Sequence, residues 1–335
     1  MKRIIKLCLG MLLVVTICSS LTFAESTVVT CNGKYVMGDM DNKKNARSLA
    51  LMEAKRSALE QAGTYLESSS EVKNYELSKD EINSLASGIV SIEVLKEEWK
   101  ISGENLMVTV LIRATVDSSN LQERISALKD DSESVEELKN IQGQLASLQK
   151  ELQELKTRQT EESEKQTKNS NKDIRKQYVA ISNTMTALDL LKNANADLAG
   201  GRWEEALAGY NEALSVNSEM AGAYTGNAIA LNRMGKPHEA LKKIDKAIKI
   251  APNSARAHLV KGWTLKNLGR YPLALKSINK AIEINSLNPK SYFIRGNINL
   301  KLNKPHPAFN DFERACKMGH RKACQKVKEL TKRLK

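Results

Sequence analysis

The chain has 335 residues, 52 Lys and Arg against 39 Asp and Glu, a formal net charge of +13, 27% charged residues and 4% aromatics. Its length allows two domains, and its composition favours helices rich in Ala, Leu and Lys over a large β-sandwich. Beyond the N-terminus no stretch is apolar for long enough to span a bilayer as a helix.

Lys2, Arg3 and Lys6 precede an apolar run from Leu7 to Ile17, and Thr22-Phe23-Ala24 follows. A charged start, an apolar middle and small residues at the end make a signal peptide over 1–24, cut after Ala24. The run is shorter than the roughly 20 residues of a retained span. Acylation at Cys18 is the alternative, disfavoured because the bulky Ile17 precedes it. The expected location is exported, periplasmic or envelope-associated. Removal of the leader leaves Cys31, Cys316 and Cys324 in an oxidising compartment.

Residues 25–120 read as a small α/β domain. Thr27–Met37 is a strand, and Asn45–Leu66 is a helix carrying Ala46, Ala50, Ala54, Ala58 and Ala62 at a spacing of four, a small-residue stripe for packing against a sheet. Ser78 and Glu81 form a capping box ahead of Ile82 and Leu85. Ile89–Ile101 and Leu106–Val116 form a β-hairpin around Ser102-Gly103-Glu104-Asn105, and Val108, Val110, Ile112, Ala114 and Val116 share one face of its second strand. With Ala46-Arg47, Ala50, Ala54, Arg56 and Ala58-Leu59-Glu60-Gln61-Ala62-Gly63, this order resembles the N-terminal domain of flagellar-assembly and related envelope lipoproteins. The resemblance implies an envelope module without catalysis.

Residues 121–173 read as a spacer. Leu138, Ile141, Leu145, Leu148, Leu152 and Leu155 step by threes and fours, a short heptad seam. It implies a coiled coil and homo-oligomerisation through Leu138–Leu155; a single long helix packing elsewhere is the alternative. Thr157–Asp173 holds no apolar residue and reads as a solvated helix or a hinge that keeps the two ends of the molecule apart.

A period of 34 dominates residues 174–335. Ala206, Ala240, Ala274 and Ala308 keep it, as do Ala213, Ala247, Ala281 and Ala315; Gly201, Gly235 and Gly269 keep it with Asn303 in fourth place, and Ala194, Ala228, Gly262 and Gly296 keep it too. Each repeat makes two antiparallel helices. The small residues sit where backbones approach, and the turn Gly permits the tight reversal. This pattern resembles the tetratricopeptide-repeat (TPR) family over 187–320, as four repeats with a following cap helix. Ser218 replaces a family proline, Pro289 comes three residues later than the Pro252 pattern, and the fourth repeat is irregular around Asn303–Pro307. The fold class is therefore α+β: a small α/β domain, a helical coiled-coil spacer and an all-α TPR solenoid. The layout from leader through coiled coil to repeats is similar to periplasmic oligomeric scaffolds near the cell-division machinery, with the α/β domain as an addition.

The repeat register puts Cys316 at the end of the fourth repeat and Cys324 at the start of the cap helix, where a disulfide fits across a helix hairpin. Sel1-like repeat proteins, a related family, cross-link pairs at this spacing. Two buried free thiols are the alternative. Cys31 is expected to be unpaired.

No catalytic constellation is present. His238, His258, His306 and His320 form no metal-ligating pair, and neither a Gly-x-Ser-x-Gly elbow nor a Cys-x-x-Cys motif occurs. The chain is expected not to be an enzyme and to need no cofactor or metal. Residues 221–335 hold 25 Lys and Arg against 6 Asp and Glu, +19, so that residues 1–220 carry −6. That asymmetry points to an acidic partner; lysines as solvated filler are the bland alternative.

By family register the groove of the repeats is lined by Thr225, Ile229, Arg233, Arg256, Leu259, Trp263, Lys266, Lys290, Phe293, Asn297 and Lys301. The basic members Arg233, Arg256, Lys266, Lys290 and Lys301, with Trp263 and Phe293 as apolar anchors, are the candidate partner-binding residues; inter-helix packing is the alternative for the two aromatics. The family's carboxylate clamp is not expected: only Asn195 and Arg256 fit it, while Leu191, Gly226 and Val260 do not. The expected function is a non-catalytic scaffold that binds a protein, with an envelope polyanion (a glycan or anionic lipid surface) as the alternative. No nucleic-acid partner is expected.

Overall fold

A computed structural model of the chain describes residues 26–38, 41–68, 77–102, 105–117, 121, 125, 132–163 and 168–334. The expected leader at 1–24, with Ala24 and Cys18, lies outside these residues, as do Gly103 and Glu104 of the hairpin turn.

The first unit holds β1 (Ser26–Val36), α1 (Lys43–Ser68), α2 (Lys79–Ile89), β2 (Val90–Ser102) and β3 (Asn105–Asp117). The strands are antiparallel in the order β1-β3-β2, with the most apolar strand in the centre. The inward residues of β3 (Val108, Val110, Ile112, Ala114 and Val116) and the alanine stripe of α1 are all at most 1% exposed. Alanines bring the helix axis unusually near the sheet, and Gly33 of β1 takes up the closest approach: a Cβ there would lie 1.9 Å from the carbonyl oxygen of Ala50 and 2.5 Å from the amide nitrogen of Ala54. Ser78 caps α2 reciprocally with Glu81. The edge strand β2 carries a bulge at Leu95 and a charged run including Lys96, Glu97, Glu98 and Lys100, both of which discourage pairing with a further strand.

Next come α3 (Ser132–Ser163) and α4 (Lys168–Ala199), which pack along each other. Lys156 of α3 meets Tyr178 of α4, whereas Glu137 lies near Leu191 beside Gly222, so the two helices run antiparallel. Ile141, Leu145, Leu152 and Leu155 are buried in one cluster with Ile174, Tyr178, Ile181, Met185, Leu188 and Leu191. The Leu138–Leu155 seam thus packs within the chain, which is the alternative of a long helix packing elsewhere. The seam finds its partner within the chain, because α4 presents an apolar row of matching spacing. Helix α4 also runs through residue 173, where the spacer was expected to end.

The remaining helices are α5 (Trp203–Val216), α6 (Ala221–Arg233), α7 (Pro237–Ile250), α8 (Ala255–Asn267), α9 (Tyr271–Ile284), α10 (Pro289–Lys301), α11 (Pro305–Lys317) and α12 (Arg321–Leu334). The second half of α4 pairs with α5, and the pairs α6–α7, α8–α9 and α10–α11 follow at 34-residue steps. Buried Tyr210, Ile244, Ile278 and Phe312 keep that step. A Cβ at Gly262 would come within 2.4 Å of Ile278, and one at Gly296 within 2.7 Å of Phe312, so large and small residues are matched across each helix pair. Gly201, Gly235 and Gly269 end their helices at φ 78°, 73° and 73°, and Asn303 at 55°. Asparagine is the side chain that best tolerates this left-handed conformation, so the fourth turn keeps its shape without glycine. In all four turns the following amide returns to the helix it has left: Arg202 to Asp197, Lys236 to Leu231, Arg270 to Leu265 and Lys304 to Asn299, at 2.8–2.9 Å. Pro289 opens α10 at its first position, where the missing N–H costs nothing.

Cys316 and Cys324 are joined as a disulfide between α11 and α12, with Cα atoms 4.7 Å apart, and Cys31 is buried and free. Replacing both bridged cysteines by serine is expected to lower the stability of the last helix pair by about 2.5 kcal/mol, the chain-entropy value for so short a loop. Hydrogen exchange should register the loss in α11 and α12 and leave α1 unchanged.

The sheet unit was expected to stand apart from the repeats; it is packed on them. The Asp41 side chain, 0% exposed, accepts from the hydroxyls of Tyr35 and Tyr178 and from the Gly38 amide (2.8 Å), and Lys156 lies 3.6 Å away. Burial raises the pKa of the Tyr35 hydroxyl and, further, that of Tyr178. Arg202, paired to Asp197 at 2.8 Å, reaches the carbonyls of Gly88 and Val90 at 3.3 and 3.4 Å. Lys55 of α1 lies 3.8 Å from Asp189 of α4. The polar tract therefore does not hold two bodies apart: the antiparallel α3–α4 pair and the first repeat carry the sheet unit.

Candidate partner-binding surface

The first helices of successive repeats (α4, α6, α8 and α10) touch one another in sequence. The Asn232 amide of α6 donates to the Thr264 hydroxyl of α8 at 2.7 Å, and the Asn267 amide returns to Asn232 at 3.4 Å. In a curved two-layer array the layer whose helices converge lies on the inside, so these four form the inner surface. All seven candidate residues are on α6, α8 and α10.

The structure brings some of them together. Arg233, at the end of α6, lies over Trp263 of α8 at 5.3 Å and over Trp203 of α5 at 5.6 Å, a cation held between two indole rings. Lys266 is half-buried, and its ammonium pKa is lowered, first by burial and then by the neighbouring charge of Lys301. Both effects disfavour a cation at this point, and an anion placed here would offset them by favouring the charged ammonium. Lys301 is exposed at the end of α10, within reach of the same anion.

Others are engaged inside the molecule. Arg256 forms an ion pair with Glu137 of α3, the two side chains 15% and 23% exposed. Phe293 stacks on His320 with centroids 4.4 Å apart and planes at 23°, and lies 5.7 Å from Phe312, so its ring helps to seat the cap helix. Lys290 is half-buried at the start of α10.

Sequence reasoning missed a polar ladder that keeps the same period. Asn227 donates to Asn211 at 2.9 Å, Lys261 pairs with Asp245 at 2.7 Å, and Arg295 donates to Asn279 at 2.9 Å. Each links one repeat to the next over 16 residues, and the three anchors on the outer helices are 34 apart. Aligning polar as well as small positions at the repeat length would have revealed it. Arg295 also donates twice to Asp311, at 2.7 and 3.1 Å; that carboxylate is 6% exposed and receives the Asn299 amide at 3.0 Å. Trp203 was missed because it belongs to an outer helix, although its ring reaches Arg233.

Among the described residues no group of three or more His, Cys, Asp or Glu could hold a metal ion, and no helix is long and apolar enough to cross a membrane. A shallow cleft of about 450 Å³ lies between the sheet unit and the hairpin, lined by Lys34, Tyr35, Glu53, Gln149 and Met185 among others.

Paired helices at a fixed step, small residues at each crossing and an inner layer of first helices define a helical-repeat scaffold. Residues 191–255 and 225–289 match the tetratricopeptide-repeat family, so that residues 191–289 carry tetratricopeptide repeats. A comparison with curated proteins finds no match. Among solved structures the chain is similar to TTC0263, a thermophilic TPR protein of Thermus thermophilus (15% identity over 54% of this chain and 98% of that one, TM-score 0.41). It is also similar to pilF of Pseudomonas aeruginosa (19%, 44% and 68%, TM-score 0.41). A third is the first TPR of Spaghetti (RPAP3) bound to the HSP90 peptide SRMEEVD (20%, 35% and 93%, TM-score 0.34).

Proposed function

We propose that this protein is an exported, non-catalytic scaffold of the bacterial periplasm or envelope, and that it recruits an acidic protein through the inner surface of its repeats. Tetratricopeptide repeats support the coarser part of this reading, a protein-interaction scaffold. The observation that supports the finer part is the guanidinium of Arg233, on the inner helix α6 and within a segment of charge +19, held over Trp263 and Trp203. Arg233, Trp263, Lys266 and Lys301 make the centre of the surface, and Lys290 with the half-buried Phe293 extends it. The leader at 1–24 and the likeness of residues 25–120 to flagellar-assembly and envelope lipoprotein domains belong to the same proposal and supply the location. The expected boundary between spacer and repeat array at 173 falls inside α4 (Lys168–Ala199).

Charge speeds and orients an encounter, whereas desolvated aromatic contact sets how long the complex lasts. Reversing Lys266 and Lys301 to glutamate is expected to slow association about tenfold and to flatten its dependence on salt. Trp263→Ala is expected mainly to speed dissociation, by about tenfold or more for an aromatic anchor. Surface-immobilised full-length chain and a partner captured from native cells would supply both rates. Unchanged association in the charge-reversed variant would overturn the assignment of this surface.

A further inference from the structure

One contact on the inner surface is made by α3 of the chain itself. Arg256 opens α8, two positions into the third repeat, and the equivalent position of the second repeat is Gly222. Glu137 of α3 reaches both: its carboxylate pairs with Arg256, and a Cβ at Gly222 would lie 3.2 Å from its Oε1 atom. The two charged side chains are mostly withdrawn from water, at 15% and 23% exposed. A cation and a carboxylate so desolvated each need the other or a replacement of the same charge. From Ile141 onward α3 is fixed to α4 by the buried seam, whereas Glu137 lies before that anchor, five residues after the helix begins at Ser132. Fraying of the helix from Ser132 through Glu137, somewhat under two turns, would free Arg256.

We infer that α3 is a built-in competitor for the inner surface: Glu137 occupies Arg256 in place of a partner's carboxylate, and an acidic partner gains Arg256 only by displacing it. The inference rests on reading the inner surface as the site for an acidic protein. It divides that surface into an open part, around Trp263, Lys266 and Lys301, and a closed part at Arg256. A partner that spans both must bind the opened state better than the closed one by at least the free energy of the Glu137 contact. Selectivity follows, because a ligand with one acidic group can use the open part alone, while one with a second carboxylate at the right distance also opens the rest.

The test uses the full chain and a fluorescent hexaglutamate peptide, with affinity read by anisotropy at fixed low salt. Glu137→Gln keeps the side-chain volume and removes the competing charge. It is expected to bind the peptide about fivefold more tightly than the wild type, the low end of usual coupling between sites. Glu137→Ala should do the same, and Glu137→Gln combined with Arg256→Gln should lose the gain. Equal binding by wild type and both Glu137 variants would overturn the competitor while leaving the basic surface standing. Absence of binding to every variant would overturn both, and a gain that survives removal of Arg256 would show that the released charge acts elsewhere and contradict the assignment.

Discussion

Gly33→Ala is expected to be the most damaging single-methyl change in the N-terminal unit. The new Cβ would stand 1.9 Å from the Ala50 carbonyl oxygen and 2.5 Å from the Ala54 amide nitrogen. Both neighbours are backbone atoms in the middle of a 26-residue helix, so no rotamer change can relieve the overlap. Either α1 moves off the sheet as a body or β1 leaves its register with β3, in which Gly33 faces Val110. Overpacking commonly costs about 1–3 kcal/mol, and a clash with rigid backbone belongs at or above the top of that range. Urea unfolding should show the loss in the sheet unit. It should also loosen the Asp41–Tyr178 contact, because α1 and β1 frame the loop that carries Asp41. An unaltered unfolding midpoint would mean that α1 does not lie where the alanine stripe puts it.

Arg295→Met is expected to destabilise the last two repeats by about 3 kcal/mol, the range for removing one partner of a buried ion pair. Asp311 would keep only the Asn299 amide, at 3.0 Å, and its 8%-exposed side chain would lose the bidentate guanidinium. Asn279 of the preceding repeat would lose its bond as well, so the damage should cross from the fourth repeat into the third. Stability in stacked repeats is a sum of internal and nearest-neighbour terms, and the loss should therefore appear as early melting of the C-terminal end. Hydrogen exchange resolved by helix would read it in α9 to α11. A uniform effect along the whole chain would contradict a local role for Arg295.

The parts of the fold that the sequence made legible are those written as a period. The 34-residue step of Ala and Gly located every helix pair, and the alternation in Val108–Val116 located the central strand, because both patterns are imposed by local geometry. Asn303 in place of the turn glycine was legible for the same reason. The destination of the Leu138–Leu155 seam was not. An apolar heptad looks identical whether its partner is another copy or a later helix, and the complementary row from Ile174 to Leu191 is diluted by polar residues. The close packing of the sheet unit on the first repeat was equally hidden, since Asp41, Tyr178 and Lys156 are far apart in sequence and belong to no motif. At the candidate surface the repeat register put Arg233 beside Trp263 and Lys266 beside Lys301. It could not show that Arg256 faces Glu137, because Glu137 lies outside the repeats and obeys none of their spacing. Nor could it show that Phe293 stacks on His320, which depends on how the cap helix closes.

The central claim is that the inner surface, rather than diffuse positive charge, recruits an acidic protein. The direct measurement is quantitative capture from native cells by three forms of the full chain at matched salt. These are the wild type, Lys266→Glu with Lys301→Glu on the inner helices, and Lys242→Glu with Lys249→Glu, two exposed lysines on the outer helix α7. The two variants carry the same net charge and differ only in where the reversed charges sit. The inner variant should lose the captured protein about tenfold, and the outer one should retain it. Equal loss in both variants, or loss in the outer one alone, would contradict the claim and leave only a general positive field.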